Sequence, residues 1–181
     1  MGGRVSLRAD SGDHDAVPTV RPAVEADLAA LTEIYNHYVL HTAITFDLHP
    51  FTPEQRRPWF DAHAASGRHR LIVAEEDGQI TAYASSSRWR PKPAYDTTVE
   101  STIYCRHDAM GRGLGTLLYR SLFALLVEED VHRIVAGVAL PNDPSVRLHE
   151  RAGFTRVGVF SQAGRKFDRF WDVAWFERPL P

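Results

Sequence analysis

Apolar residues in this chain fall into two kinds of spacing, and the switches between them divide it into elements. In "EADLAALTEIYNHYVLH", Leu28, Leu31, Ile34, Tyr35, Tyr38 and Val39 recur at steps of three, four and one, which predicts an amphipathic helix. Asp27 stands at its start, where an acid suits the helix dipole, and "PTVRPA" (18–23) before it has the pattern of a short strand. "FTPEQRRPWFDAHAASG" predicts a second helix with Thr52 as N-cap, Pro53 at the first position and Gly67 as its stop. Pro58 within it predicts a break or kink, and with it a helix in two pieces. "HRLIVAEEDGQITAYASSSRW" then alternates on either side of Asp77-Gly78, a strong hairpin signal.

"DTTVESTIYC" is a third alternating strand, and it runs into "MGRGLGTLLYRSLFALL". There a glycine-rich turn leads to Leu114, Leu117, Leu118, Leu122, Leu125 and Leu126 at helical spacing. "VHRIVAGVAL" is continuously apolar and reads as a buried strand. "NDPSVRLHERAGF" predicts a short helix capped by Asn142 or Asp143 and stopped at Gly153. The remainder reads as a closing hairpin with Gly164 in its turn region. The predicted order is β-α-α-β-β-β-α-β-α-β-β, an α/β arrangement with a mixed sheet and helices on both faces. One domain is expected over residues 18–181, behind a flexible tail at 1–17.

Composition narrows the function classes. A net charge of −2 supplies no general attraction to nucleic acid or anionic lipid. No apolar run approaches the roughly 20 residues of a membrane span, and the charged N-terminal stretch lacks the apolar centre of a signal peptide. A single cysteine, Cys105, excludes an internal disulfide and a cysteine-rich metal site and fits a reducing cytoplasm. Its place at a strand end favours a structural thiol over a nucleophile. Among the nine histidines no His-x-x-x-His or carboxylate cluster has convincing ligand spacing, so no metal is expected.

Candidate chemistry begins at the glycine turn. Gly111, Gly113 and Gly115 bare the backbone at a helix start, where free N–H groups and the dipole favour an anion. An unliganded strand-to-helix turn explains the glycines equally well. A P-loop requires Gly-Lys-Ser/Thr, whereas this loop ends Gly115-Thr116 without lysine. A dinucleotide fold requires G-x-G-x-x-G and an acid about 20 residues onward at the tip of the following strand, whereas the spacing here is G-x-G-x-G and that strand ends "GVALPN" without an acid.

The third phosphate ligand is coenzyme A. "MGRGLG" resembles the pyrophosphate loop of the GCN5-related N-acetyltransferase (GNAT) superfamily, and "NDPSVRLHERAGF" resembles its second cofactor segment. "IYNHYV", "AYDTTVESTIYC", "GLGTLLY", "LPNDPSVRLHE" and "WDVAWF" are similar to the phosphinothricin N-acetyltransferase branch, from about Arg21 to Arg178. The resemblance implies a GNAT fold with a mixed, mostly antiparallel twisted sheet. It also implies acetyl-CoA as co-substrate, direct transfer to the free amine of a small amino acid or analogue, and a homodimer. An acyl-CoA-binding sensor on the same fold is the alternative.

Amine acetylation requires a base, because an alkyl ammonium holds its proton up to a pKa of about 10. Glu100 lies mid-strand and, by alternation, shares a face with Thr98, Thr102 and Tyr104. Pattern alone favours an exposed strand Glu; the resemblance reverses this and makes it the base, directly or through water. His149, on the short helix, is by resemblance the thiolate's acid or a second base, against a plain packing role. The resemblance further assigns the backbone of Ile103, Tyr104 and Cys105 to pantetheine, and Gly111, Arg112, Gly113, Leu114, Gly115 and Thr116 to the pyrophosphate. Asn142 and Ser145 join the cofactor site, and Phe46, Lys92, Tyr95 and Thr102 the acceptor pocket.

Overall fold

A computed structural model describes residues 18–181; the expectation for the tail lies outside the described residues. The elements are β1 (Thr19–Pro22), α1 (Leu28–His41), α2 (Pro53–Asp61), β2 (Leu71–Glu76) and β3 (Gln79–Arg88). They continue with β4 (Thr98–Cys105), α3 (Leu114–Val127), β5 (Arg133–Leu140), α4 (Asp143–Arg151), β6 (Thr155–Lys166) and β7 (Arg169–Pro179). This is the order expected from the sequence.

The seven strands form one sheet ordered β1-β2-β3-β4-β5-β7-β6. Every neighbouring pair is antiparallel except β4–β5, the connection that passes through α3. Alternation sends the two faces of β2 into separate cores. Ile72 and Ala74 pack with Leu114, Leu118, Leu122 and Leu126 of α3, while Leu71 and Val73 pack with Leu31, Ile34 and Tyr38 of α1. Helices therefore cover both faces, α3 and α4 on one and α1 and α2 on the other.

Local chemistry explains most boundaries. Asp77 and Gly78 both hold positive φ (49° and 75°), as a two-residue hairpin turn requires. Asp27 precedes α1 and accepts from Val24 N–H at 2.8 Å and from the Arg21 guanidinium at 2.7 Å. Thr52 caps α2 by accepting from Gln55 N–H. Asn142, rather than Asp143, caps α4, its Oδ1 accepting from Ser145 N–H at 3.3 Å.

Two expectations are corrected. Pro58 does not divide α2, which runs unbroken through it and ends at Asp61, ahead of Gly67. Only one intrahelical bond is forgone in so short a helix, so continuing costs less than in a long one. Gly164 is not in the closing turn: Phe167 and Asp168 form it, with φ of 52° and 55°, while Gly164 is buried within β6. A Cβ there would stand 2.3 Å from the Phe46 ring, so glycine is needed for the approach of that ring and not for chain reversal.

Candidate active site

The site arises where two strands part. β4 pairs with β5 at Thr98, Val99 and Glu100, and the last register pair is Glu100–Val135. Beyond it β5 pairs with β7 through Leu140, and β4 continues along β3 to Cys105, leaving a wedge between them. Arg106 N–H donates to Thr81 O on the β3 side, and Thr97 O accepts from Arg133 N–H on the β5 side. Strand alternation then turns the main chain of Ile103 and Cys105 into the wedge and that of Tyr104 away from it, toward β3. The Tyr104 main chain thus faces β3, while Tyr104 itself is among the residues lining the wedge. The Cys105 carbonyl already accepts from the Tyr38 hydroxyl at 2.5 Å. Burial pushes the Cys105 thiol up to about 11, which disfavours a nucleophilic thiolate.

Glu100, Thr102 and Tyr104 do share a face, the one that also carries Ser85, Ser87 and Val135 by register. Thr102 and Ser85 join hydroxyls at 2.9 Å beside Glu100. Burial holds the Glu100 carboxyl above the ordinary carboxylate range, opposed by the Arg90 guanidinium. A carboxylate of raised proton affinity is suited to accept a proton.

His149 approaches the wedge from the other face, 3% exposed. Its Nδ1–H donates to Ser145 O at 2.7 Å, and its Nε2 lies 2.8 Å from the Tyr119 hydroxyl. Phe154 and Phe176 enclose the ring, and burial lowers its proton affinity. Tyr119, His149, Ser145, Asn142, Ile103 and Gly137 all line the wedge.

At the glycine turn, Gly111 and Gly113 hold φ of 79° and 82° with open space where a Cβ would go. The first helical bond of α3 is donated by Leu117 to Gly113 O, so the N–H groups of Leu114, Gly115 and Thr116 have no acceptor within the helix. Gly115 is a packing glycine as well: a Cβ would meet Leu148 at 2.8 Å, letting α4 close against α3. Arg112 is engaged elsewhere, its guanidinium gripping both oxygens of the Glu76 carboxylate at 2.9 and 3.1 Å. It ties the loop to β2.

The acceptor-side residues separate. Phe46 packs on Gly164, and the neighbouring Thr45 carbonyl accepts from buried Lys166 Nζ at 2.8 Å, strapping the α1–α2 connection to β6. Tyr95 stacks edge-on against Trp89, centroids 5.1 Å apart. Lys92 is exposed in the β3–β4 connection; the cation acting on Glu100 is Arg90, which sequence reasoning missed. Tyr119 was missed as well, because its position in the apolar stripe of α3 reads as core. Among the described residues, no group of three or more His, Cys, Asp or Glu is placed to hold a metal ion, and no helix is long and apolar enough to cross a membrane.

The acetyltransferase (GNAT) family matches residues 31–154. A phosphinothricin N-acetyltransferase of Streptomyces coelicolor is 58% identical over 163 residues, covering 89% of this chain and 95% of that protein. An L-methionine sulfoximine/L-methionine sulfone acetyltransferase of Salmonella typhimurium is 38% identical over 166 residues, covering 90% and 94%. The crystal structure of a GNAT superfamily phosphinothricin acetyltransferase from Sinorhizobium meliloti in complex with acetyl-CoA superposes with a TM-score of 0.86. It is 31% identical and covers 90% of this chain and 88% of that one. The chain belongs to the GNAT acetyltransferase family, and it is an N-acetyltransferase.

Proposed function

We propose that this enzyme moves the acetyl group of acetyl-CoA directly onto the α-amine of a small amino acid analogue of the phosphinothricin or methionine sulfone/sulfoximine type. The observation that carries this reading is the parting of β4 and β5 immediately after Glu100. It sets unpaired Ile103 and Cys105 amides along the wedge, and the free N–H groups of Leu114, Gly115 and Thr116 stand at the start of α3. Pantetheine fits there as a substitute strand, with the pyrophosphate on the amides of Gly111–Thr116. Arg112 anchors this loop and adds no free charge. Asn142 offers its side-chain nitrogen to the pantetheine arm, its oxygen being used on Ser145. The Leu114–Thr116 amides, far from the reacting carbon, hold the cofactor without consuming catalytic groups.

Glu100 takes the proton from the incoming ammonium, directly or through water, and frees the lone pair. The nitrogen attacks the thioester carbon while the Ile103 N–H, the first wedge-facing donor beyond Glu100, receives the developing oxyanion. Proton acceptor and oxyanion donor thus sit three residues apart on one strand. Thr102 and Ser85 line the acceptor side with Glu100, Arg90 supplies the positive charge for an acceptor carboxylate, and Phe46, Trp89 and Tyr95 bound the space.

Residues 18–181 act as one catalytic unit in this reading, and the setting is cytoplasmic. Val157, Val159 and Phe160 are 64%, 42% and 62% exposed on edge strand β6, an apolar surface suited to a second copy in a homodimer. The test is thiol release from acetyl-CoA with phosphinothricin, methionine sulfone and methionine sulfoximine. Turnover with at least one of them, lost when its α-amine is blocked, is expected. Coenzyme release confined to amines without a carboxylate would overturn the substrate class.

A further inference from the structure

The wedge holds a buried tyrosine hydroxyl that the chemistry above leaves unused. Tyr119 Oη lies 2.8 Å from His149 Nε2 and 3.5 Å from Ser101 Oγ, and all three residues line the wedge. Because the ring proton of His149 sits on Nδ1 and is donated to Ser145 O, Nε2 is an acceptor and takes the Tyr119 O–H. Burial favours the neutral imidazole. A neutral ring whose only N–H is spent on a backbone carbonyl has no proton to offer a sulfur atom. The other groups against the pair are aromatic: Phe123 stacks on Tyr119 at 5.0 Å, and Phe154 and Phe176 flank His149 at 5.2 and 5.6 Å. The remaining influences on the two protons come from Ser101 and Ser145, both uncharged.

We infer that Tyr119, not His149, meets the departing sulfur, and that His149 is a positioning residue that holds the Tyr119 hydroxyl at the wedge. This deepens the acetyltransferase reading and rests on it. As the C–S bond breaks, its electron pair stays on sulfur, and rotation about the tyrosine C–O bond turns the O–H from Nε2 toward the new thiolate. A neutral hydrogen bond is exchanged for a charge-assisted one, which is roughly twice as strong. The proton remains on oxygen, since burial raises the phenol well above a thiol. As the amide forms the nitrogen sheds its second proton to water, and coenzyme A leaves as thiolate and is protonated from water outside.

The experiment compares Tyr119→Phe, His149→Phe, His149→Gln and the Tyr119→Phe/His149→Phe double variant, each checked for folding by circular dichroism and for acetyl-CoA binding by calorimetry. Tyr119→Phe is expected to lower kcat about 10- to 100-fold with acetyl-CoA Kd unchanged. The deficit should shrink with an acetyl donor fluorinated beside the sulfur-bearing carbon, whose thiol is more acidic and needs less help to leave. His149→Phe should cost less than twofold in the Tyr119→Phe background, and His149→Gln, which retains an acceptor for the hydroxyl, should recover most of the His149→Phe loss. A Tyr119→Phe enzyme with normal kcat, a deficit indifferent to thiol acidity, or a full His149→Phe penalty in the double variant would overturn the inference. If Tyr119→Phe fails to fold, the His149 pair decides alone: equal losses in Phe and Gln refute positioning through the hydroxyl. Wild-type protein that neither binds acetyl-CoA nor releases thiol would instead overturn the acetyltransferase reading beneath it.

Discussion

Glu100 and Val135 are the last two residues at which β4 and β5 meet, so the carboxylate stands at the apex of the wedge between them. Its position there ties proton affinity to access: the strand neighbours that bury it also end at it.

Replacing Glu100 by Gln is expected to lower kcat by about 10²- to 10⁴-fold, the usual worth of a general base, with acetyl-CoA Kd unchanged. Glu100 must be ionised to act, and burial raises its pKa, so wild-type kcat/KM should fall as pH drops through that raised value. The acid limb should vanish in Glu100→Gln. The stability sign is opposite. A raised folded-state pKa favours folding below the unfolded value and loses that contribution as pH rises through the folded one. Thermal melts should therefore show Glu100→Gln more stable than wild type at pH 7.5, with the gain disappearing below pH 4.5, the ordinary value.

Arg112 separates anchoring from ligand charge. The Glu76 side chain is 7% exposed and depends on Arg112 for its partner. Arg112→Met should destabilise the fold by about 1–3 kcal/mol in urea titrations by leaving a buried carboxylate unpaired, while acetyl-CoA Kd changes less than threefold. A tenfold or larger loss of affinity with unaltered stability would return Arg112 to the pyrophosphate.

Gly164→Ala places a methyl 2.3 Å from the Phe46 ring, inside contact distance. The expected cost is about 1–3 kcal/mol from overpacking, together with a raised acceptor KM as the strap at Thr45–Phe46 shifts. Adding Phe46→Ala should return much of the stability, measured by denaturant midpoint, without returning acceptor binding.

The sequence made the order of elements legible because amphipathic spacing and turn chemistry are local. Asp77-Gly78 announces its hairpin, and Glu100 is conspicuous as a charge in an alternating strand. What escaped depends on distant residues. Gly164 resembles a turn glycine until the Phe46 ring, from far earlier in the chain, is seen to need the space. Arg90 and Lys92 look equivalent in "SRWRPKPAYD", and only the path of the β3–β4 connection brings Arg90 to bear on Glu100. Tyr119 occupies a helix position indistinguishable from core until α4 delivers His149 to its hydroxyl. The wedge itself has no local signature: "VHRIVAGVAL" reads as an ordinary buried strand, and its departure from β4 is fixed by pairing with β7.

The central claim is that acetyl-CoA lies in the wedge with its diphosphate on the α3 N-terminal amides. A ¹H–¹⁵N titration of the labelled protein with acetyl-CoA tests it most directly. Saturable shifts concentrated at the Ile103, Cys105 and Gly113–Thr116 amides are predicted, and titration that leaves these signals fixed while moving others, or moves none, would contradict it.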